Sequence, residues 1–370
     1  MIKHSYPTIG NKETQAVNAV LKTKHLAQGD AVRRFEEATA RYLGGKGLKA
    51  AAANSGTSAL HLALLALGIS AGDEVIIPSY ACSAVLNAVN YTGARPLLAD
   101  INETDFNLSI ESTRKKITSR TRAIILVHQF GFPAETDKFL SLKIPIIEDC
   151  AQSIGAKYHN KLVGTFGMLA IFSFYATKML CTGYGGMVVS KDRKLINKVR
   201  DLIDYDNRDD YITRYNYQMS DLSAALGLAQ LRQLDRFIQR RREIAARYTK
   251  ALGSLEIPSL ILPTVFRSPV LRHSRDSERR MANGTKDTFF RYVIRHPKAD
   301  RIIPSLNRAG IEAKKPVYKP LHRYLGLNPN QFPNAEQAHR TAISLPIYPS
   351  FTGRQINYIT DNLAKTLKSI

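Results

Sequence analysis

The chain is best understood from one stretch, Phe172-Ser-Phe-Tyr-Ala-Thr-Lys178-Met-Leu-Cys-Thr-Gly-Tyr-Gly-Gly186. Apolar residues from 168 to 174 predict a buried strand, and a second apolar run, 187–190, follows the glycine-rich turn. Lys178 lies between the two. Because an unpaired ammonium group is costly to bury, this lysine is either solvated at the rim of a sheet or held there for chemistry. A solvated rim is the commoner place for a lone lysine, whereas a lysine whose pKa is lowered by burial forms Schiff bases with aldehydes.

The composition is typical of a soluble globular protein: of 370 residues, 44% are hydrophobic and 23% are charged. This length predicts about two domains. The chain begins Met-Ile-Lys-His-Ser-Tyr-Pro, without the apolar core of a signal peptide. Its longest apolar run, around 62–69, is too short to span a bilayer. We therefore expect a cytoplasmic protein without a membrane span.

The cysteines are few and widely spaced, at Cys82, Cys150 and Cys181. This pattern argues against a disulfide framework and favours a reducing compartment. No spacing of His and Cys residues suggests a zinc site, so we expect no metal.

The net charge is unusual, at +22, from 53 Lys and Arg against 31 Asp and Glu. Such a charge permits nucleic acid, an anionic membrane surface or a phosphorylated small molecule as a partner. Much of the excess lies at 232–247, on a helical pattern, and at 267–295. Neither stretch interleaves aromatic with basic residues as nucleic-acid-binding segments do. The sequence therefore favours a solvated basic surface, and we expect no nucleic-acid partner.

Short apolar runs alternate with helical patterns through most of the chain. Strands are predicted at 49–53, 74–78, 95–99, 123–128 and 144–148, and helices at 12–23, 31–43, 59–67, up to 89, 110–117, 135–141, 194–203 and 220–252. Such alternation is typical of βαβ units, so we predict an α/β fold with a mostly parallel sheet flanked by helices. Uniformly apolar strands also indicate burial on both faces.

We place the domain boundary near the C-terminal end of the long helix. We therefore predict a large domain at 1–250 and a smaller α+β domain at 251–370. Its expected strands are 289–294 and 311–315, and its expected helices are 299–309 and 354–368.

The loop Asn54-Ser-Gly-Thr-Ser58 lies between a predicted strand and an apolar helix. The first N–H groups of a helix, with Thr and Ser hydroxyls beside them, can bind a phosphate, and Gly56 would allow a close approach. Ser, Thr and Asn are also ordinary N-caps, so this loop alone does not decide between the two.

Asp149 stands at the carboxyl end of a predicted buried strand. Ligands of open α/β sheets bind at that end, and a carboxylate facing a pyridinium nitrogen keeps the nitrogen protonated. The alternative is an aspartate that caps the next helix. A phosphate loop, a carboxylate and a lysine, in this order, suit pyridoxal 5′-phosphate (PLP), and Ser173 could add a hydroxyl to the phosphate.

The sequence resembles the sugar aminotransferases of the DegT/StrS type, which are fold-type I PLP enzymes. The resemblance runs nearly end to end and is weak only across about 257–287. The motifs that show it are Asn54-Ser-Gly-Thr-Ser-Ala-Leu-His-Leu-Ala-Leu, Gly72-Asp-Glu-Val-Ile-Ile-Pro-Ser, Glu148-Asp-Cys-Ala-Gln-Ser, Val163-Gly-Thr-Phe-Gly, Phe172-Ser-Phe-Tyr-Ala-Thr-Lys, Tyr215-Asn-Tyr-Gln-Met-Ser-Asp-Leu-Ser-Ala-Ala and Ser344-Leu-Pro-Ile-Tyr-Pro.

The resemblance implies a role for each matching residue. Lys178 would bind the cofactor aldehyde and move the proton, Asp149 would pair with the ring nitrogen, and Gln152 would contact the ring's 3-oxygen. The phosphate would be held by Gly56, Thr57, Ser58 and Ser173, with Asn216 reaching it from the partner subunit of a homodimer. The sugar-nucleotide side would be lined by loop 25–30 and the stretch from Tyr318 to His322.

Three positions depart from the family pattern. Cys82 stands where an aromatic ring usually stacks on the cofactor, so stacking is lost or supplied otherwise, for which Tyr80 is a candidate. Tyr184 replaces a usual Glu, and Met179 replaces a usual Asn. These changes suggest an altered substrate pocket with intact chemistry. A related dehydratase subgroup has histidine in place of the lysine, so Lys178 favours transamination.

The resemblance implies an aminotransferase that moves an amino group from an amino acid, glutamate by analogy, to a keto sugar linked to a nucleoside diphosphate. Cell-surface polysaccharides and amino sugars of antibiotics are equally compatible destinations. Two alternatives stay open: the acceptor is a keto-cyclitol, or the protein is a PLP-binding or polyanion-binding regulator that has lost catalysis.

Overall fold

The computed structural model describes residues 1–44, 47–263 and 284–369. The predicted break at 43–47 and the basic stretch 267–295 therefore lie partly outside the described residues. The same is true of 257–287, across which the resemblance is weak. No helix in the described ranges is both long enough and apolar enough to cross a membrane.

The strands of the described residues are short and mostly buried. They are β1 Lys49–Ala53, β2 Glu74–Pro78, β3 Arg95–Ala99, β4 Thr121–Val127, β5 Ile146–Asp149, β6 Lys157–Tyr158, β7 Lys161–Leu162, β8 Leu169–Ser173, β9 Gly186–Ser190, β10 Tyr292–Arg295 and β11 Ala342–Leu345. Seven of them form one sheet in the order β1-β9-β8-β5-β4-β2-β3. The neighbours from β3 to β8 are parallel, whereas β9 is antiparallel to both β8 and β1.

Helices cover both faces of this sheet. The described helices are α1 Asn11–Thr23, α2 Asp30–Tyr42, α3 Gly56–Ala66, α4 Ser83–Tyr91, α5 Ile110–Arg114, α6 Thr136–Leu140, α7 Arg193–Ile203, α8 Asp221–Leu231, α9 Leu234–Gly253, α10 Ala299–Arg308, α11 Leu321–Tyr324, α12 Pro333–Thr341 and α13 Gly353–Ser369. The predicted α/β fold with a mostly parallel sheet is confirmed.

Alternation along the strands explains the layers. Ile147 of β5 packs in one cluster with Leu62 of α3, whereas its neighbour Ile146 packs on the other face with Phe139 of α6. Successive side chains of a strand point to opposite faces, so a strand that is apolar throughout is buried on both. This is why the uniform runs at 49–53, 74–78 and 95–99 predicted β1, β2 and β3 without error.

A second unit is built on the small antiparallel pair of β10 and β11. Its core includes Ile294, Ile343 and Ile359, together with Tyr248 and Leu252 from the second half of α9. The first half of α9 packs elsewhere, since its Leu234 and Ile238 lie in a core of the large sheet. The N-terminal segment also reaches this unit, where the N–H of Ile2 donates to Gly310 O at 2.7 Å. The division at residue 250 stays a prediction.

Two predicted elements are wrong. The helix expected over 220–252 is two helices, because the chain turns at Arg232 and Gln233, where Gln233 Nε2 donates to Ala229 O at 3.2 Å and so satisfies a carbonyl at the end of α8. The strand expected at 311–315 makes only isolated bridges, from Ile311 and Lys314. The second strand of the small sheet is β11, which the pattern did not predict.

The direction of the strands brings three segments to one edge. Ala53 of β1 and Ser173 of β8 both pair with Gly186 of β9. Since β1 and β8 are each antiparallel to β9, they run in the same direction and end at the same edge. Asp149 ends β5, the parallel neighbour of β8. The 54–58 loop, Asp149 and the turn that contains Lys178 therefore share this edge.

Candidate active site

Lys178 lies in a tight turn between β8 and β9. The turn is fixed by backbone hydrogen bonds, among them Lys178 N to Tyr175 O at 2.8 Å and Ala176 N to Gly183 O at 3.0 Å. The side chain is half-buried, and its Nζ lies 5.1 Å from the centre of the Phe290 ring. Burial lowers the pKa of Lys178, while the charge of Asp149 opposes this shift. A lysine in this state has more of the neutral, nucleophilic amine than an exposed one.

Asp149 is buried at the carboxyl end of β5. Burial raises its pKa, whereas the N–H of Ala151, which donates to Oδ1 at 2.9 Å, and the charge of Lys178 lower it. The two side chains therefore influence each other across neighbouring strand ends. A buried carboxylate is stabilised in its charged form by a cation beside it, and both Lys178 and a protonated ring nitrogen could serve.

The start of α3 meets β8 so closely that only glycine fits at residue 56. A Cβ at Gly56 would lie 2.6 Å from Ser173 Cβ and 2.9 Å from its Oγ. Likewise, a Cβ at Gly186 would lie 2.2 Å from Ser55 O. The first turn of α3 leaves the N–H groups of Gly56 and Thr57 without acceptors in the helix, and the close packing of Gly56 on Ser173 brings this helix start next to the Ser173 hydroxyl.

Ser58 plays a different part in the same loop. Its N–H donates to Ser55 Oγ at 3.0 Å, which makes Ser55 the N-cap of α3. Its hydroxyl donates to Asn54 Oδ1 at 2.6 Å. Ser58 is thus engaged in capping, and its role in phosphate binding stays a prediction.

Gln152 follows the carboxyl end of β5, three residues after Asp149. Its Oε1 accepts from the N–H of Phe130 at 3.1 Å, which leaves the amide NH₂ as the group that can donate to a ligand. Phe130 has a left-handed backbone, with φ of 59°, and its carbonyl accepts from the N–H of Arg291 at 3.2 Å. Gln152 therefore joins β5 to the segment before β10.

Sequence reasoning missed a buried pair beside Asp149. Glu148 accepts from the N–H groups of Gly164, Phe166 and Gly167 at 2.7–2.8 Å and from His128 Nε2 at 3.0 Å. Although burial raises the pKa of Glu148, these donors lower it overall. Since His128 Nδ1 accepts from the N–H of Ala134 at 3.0 Å, the proton of this imidazole is on Nε2. The pair anchors the 163–167 motif to β5.

The same two residues lie within 4.8 Å of Cys150, a grouping that could in principle hold a metal. Both oxygens of Glu148 and both nitrogens of His128 already have hydrogen-bond partners. The geometry is therefore that of a structural hydrogen-bond network.

The three departures from the family pattern lie in different environments. Cys82 is exposed and close enough to Lys178 to affect its pKa. Met179 is buried in a core, so it is not part of a pocket. Tyr184 is exposed and packs edge-on against Tyr175, with ring centroids 5.3 Å apart. Of the three, Cys82 and Tyr184 are open to a ligand.

Tyr80 does not replace the missing aromatic ring. It is fully buried and stacks on Phe106 at 6.1 Å, with an edge contact to Phe130. A residue with no accessible surface presents no face to a cofactor, so this candidate is wrong.

The two predicted substrate residues differ in their exposure to solvent. Tyr318 is exposed, whereas His322 is fully buried, with Nδ1 at 2.5 Å from Ser79 Oγ and Nε2 at 2.7 Å from Glu336 Oε1. We correct the prediction for His322: with both nitrogens engaged, it positions α11 against the end of β2 and does not line a surface.

The predicted partner-subunit residue and the predicted sugar loop are at the surface. Asn216 is exposed, and its carbonyl accepts from Asn54 Nδ2 at 3.2 Å. Loop 25–30 is held by Asp221, whose Oδ1 accepts from the N–H of Gly29 at 2.9 Å. The sites to which Asn216 and this loop contribute stay predictions.

The residues at this edge fit PLP. The start of α3 next to the Ser173 hydroxyl suits a phosphate, the buried carboxylate of Asp149 suits a pyridinium nitrogen, and Lys178 suits the aldehyde. Fold and site together define a fold-type I PLP-dependent enzyme.

The family model of the DegT/DnrJ/EryC1/StrS aminotransferases matches residues 7–364. The chain therefore belongs to the DegT/DnrJ/EryC1/StrS aminotransferase family, whose members use PLP. It is an enzyme, a transferase of amino groups.

Relatives extend over almost the whole chain. It is 35% identical over 369 residues to a GDP-perosamine synthase of Escherichia coli O157:H7, with 96% of each chain covered. The structure of DesV from S. venezuelae matches with a TM-score of 0.86 and 32% identity, over 97% of this chain and 95% of that one. The structure of Helicobacter pylori PseC, an aminotransferase involved in the biosynthesis of pseudoaminic acid, matches with a TM-score of 0.87 and 28% identity over the full length of both.

Proposed function

We propose that this protein transfers an amino group from an amino acid, L-glutamate, to a keto sugar linked to a nucleoside diphosphate. The observation that supports it most is the convergence of Lys178, Asp149 and the Gly56–Ser173 contact at one sheet edge. The names of the relatives, which include a GDP-perosamine synthase, support the sugar-nucleotide acceptor. The product would enter cell-surface polysaccharide or amino-sugar biosynthesis.

When bound, PLP supplies an aldehyde for the amino group and a ring that withdraws electrons from the reacting carbon. Lys178 Nζ is the group that would bind that aldehyde and that would carry the proton to and from the carbon that bears the amino group, and a lowered pKa favours both roles. Asp149 holds the proton of the ring nitrogen. The Gln152 amide orients the ring oxygen, and the Ser173 hydroxyl orients the phosphate.

We also propose a cytoplasmic homodimer in which Asn216 of each chain reaches the phosphate in the site of the other. The exposed position of Asn216 supports this arrangement, because a residue at the surface is accessible to a second chain. The net charge of +22 would attract a diphosphate-bearing substrate, since a field of one sign raises the rate of encounter.

The test is the absorbance spectrum of the purified, PLP-loaded protein during each half-reaction. L-glutamate should convert the cofactor to its amine form, and keto sugar nucleotides should convert it back. Lys178→Ala should abolish both changes, whereas Lys191→Ala, at an exposed lysine just after β9, should leave them intact. A wild-type spectrum that no amino acid alters would refute the proposal.

The same assay distinguishes the proposed sugar-nucleotide acceptor from the two alternatives, a keto-cyclitol acceptor and a regulator without catalysis. A free keto-cyclitol that restores the aldehyde form while nucleotide sugars do not would favour the cyclitol enzyme. Nucleic-acid binding that falls steeply with salt, together with no half-reaction, would favour the regulator.

A further inference from the structure

A second cation lies close to Lys178. Arg291 precedes β10, and its guanidinium carbon lies 5.1 Å from the centre of the Phe290 ring, the same ring that Lys178 Nζ approaches at 5.1 Å. The two charged groups contact the same aromatic ring and are therefore no more than about 10 Å apart. Neither sequence motif nor family resemblance assigned a role to Arg291.

The charge of Arg291 is not compensated by an anion. Its polar side-chain partner is His4, whose two ring nitrogens lie 3.2 and 3.3 Å from Arg291 Nη1. Burial and the charge of Arg291 lower the pKa of His4 to about 2, so this imidazole is neutral and one of its ring nitrogens can accept a hydrogen bond from Arg291. Within 1–44, 47–263 and 284–369, the guanidinium of Arg291 forms no ion pair. The carboxylate of Glu312, which contacts His4, accepts from the backbone N–H of His4 and pairs with Lys314.

A neighbouring arginine shows the contrast. Arg241 is fully buried, and its Nη1 donates to the carbonyls of Phe289, Phe290 and Ile347 at 3.0–3.3 Å. These three acceptors give Arg241 a structural role. Arg291 is only half-buried, and in the part of the chain that the structure describes it has no such set of carbonyls. Burial lowers its pKa to about 10, so at neutral pH it is a charged donor with no anionic partner among the residues that the structure describes.

The position selects the kind of anion. In an amino acid, the α-carboxylate is attached to the carbon that bears the transferred nitrogen, so it must lie within a few ångströms of Lys178 Nζ. In a nucleotide sugar, a whole sugar ring separates the diphosphate from the transferred nitrogen. Asp149 already offsets the charge of Lys178 or of the ring nitrogen, which leaves Arg291 to balance one further negative charge.

We propose that Arg291 binds the α-carboxylate of the amino-acid donor and of the 2-oxo acid that leaves, with His4 holding its guanidinium in place. A planar guanidinium is suited to a carboxylate because it can donate two parallel hydrogen bonds. His4 is itself fixed through the 2.8 Å contact of its Nε2 with Ser344 Oγ. This inference rests on the proposed transamination and assigns its donor side to one residue.

The test compares the two half-reactions in Arg291→Gln. The reaction of the aldehyde form with L-glutamate should lose on the order of 100-fold in kcat/KM, mainly through KM, as expected when a charged partner is removed. The reaction of the amine form with the keto sugar nucleotide should stay within about twofold of wild type. Arg291→Lys should fall between the two, since it keeps the charge but not the planar pair of donors.

A binding measurement gives a second readout. Maleate, a dicarboxylate that cannot react, should bind the PLP-loaded wild type in calorimetry, and Arg291→Gln should weaken this binding on the order of 100-fold. Arg301→Gln is the matched control, because Arg301 is an exposed arginine on α10 of the same unit. It should change neither reaction nor maleate binding.

The outcomes separate the two proposals. Equal losses in both half-reactions, or none in either, would overturn the assignment of Arg291, and a loss confined to the sugar half-reaction would assign Arg291 to the diphosphate. A wild type that reacts with no amino acid would instead refute the transamination itself. If Arg291→Gln does not fold, Arg291→Lys tests the same assignment. It should show an intermediate loss in the glutamate half-reaction and no loss in the sugar half-reaction.

Discussion

The contact between Gly56 and Ser173 allows a quantitative prediction. In Gly56→Ala, the new Cβ would lie 2.6 Å from Ser173 Cβ, where ordinary contact begins at 3.4 Å. One of the two segments must therefore move by about 0.8 Å. Ser173 ends β8, a strand paired on both sides, so the 54–58 loop is the segment that must give. Overpacking of this kind costs about 1–3 kcal/mol.

The displaced loop holds the predicted phosphate donors, so we expect the cost to appear in PLP affinity. The dissociation constant of PLP should rise by about 10- to 100-fold, measured by titrating the apoprotein and following cofactor absorbance. Gly253→Ala is a control, since its nearest neighbour would be Leu262 Cδ1 at 3.8 Å. It should leave PLP affinity and the unfolding temperature unchanged.

A second substitution tests the mechanism of the loss. Ser173→Gly removes the clashing Cβ and Oγ and leaves Ser173 Cα, at 3.3 Å, as the nearest atom. The double variant should then bind PLP no more weakly than Ser173→Gly alone. If Gly56→Ala binds PLP as the wild type does, or if the effects of the two substitutions add, the argument from close packing is wrong.

Three further predictions follow from other residues. If Asn216 acts across a dimer, mixing inactive Lys178→Ala chains with Asn216→Ala chains should restore about a quarter of wild-type activity. Half of the dimers are then mixed, and each mixed dimer has one intact site of its two. No recovery would place Asn216 in the site of its own chain. Cys82→Tyr should tighten PLP binding by about 2- to 10-fold through ring stacking, and weaker binding in the same absorbance titration would contradict this. Arg323 lowers the pKa of Glu336 to about 2, so the stability this carboxylate adds is complete above pH 4.5 and is lost as the pH falls towards 2. Glu336→Gln should therefore lower the free energy of unfolding by about 1–2 kcal/mol at pH 7 but not at pH 2. Urea titration at both pH values measures this difference. A loss that does not depend on pH would exclude the ion pair as its cause.

The sequence predicted the sheet well because its strands are buried on both faces. Ala50 to Ala53 are apolar without interruption, and their neighbours in space are equally apolar. It also predicted that the 54–58 loop, Asp149 and Lys178 would lie at the strand ends of one sheet, and the three share one edge. Such inferences need only the direction and order of strands.

Other features depend on contacts between residues far apart in the sequence. Nothing in the composition of Arg232 and Gln233 disfavours a helix; the break between α8 and α9 depends on packing. The burial of His322 depends on Ser79 and Glu336. Likewise, a single arginine in a basic chain gives no sign that Arg291 would lie beside Lys178.

Helix α9 has a consequence for the engineering of chimaeras. Its first half belongs to the large sheet and its second half to the smaller unit, so it is one continuous rod shared by two cores. A fusion that joined this chain to a relative's C-terminal part at residue 250 would separate Tyr248 from Tyr292 and Phe351, the rings on which it packs. A junction in the turn at 232–233, before α9 begins, would take the whole helix from the relative, so that the residue at position 248 and its packing partners come from one protein.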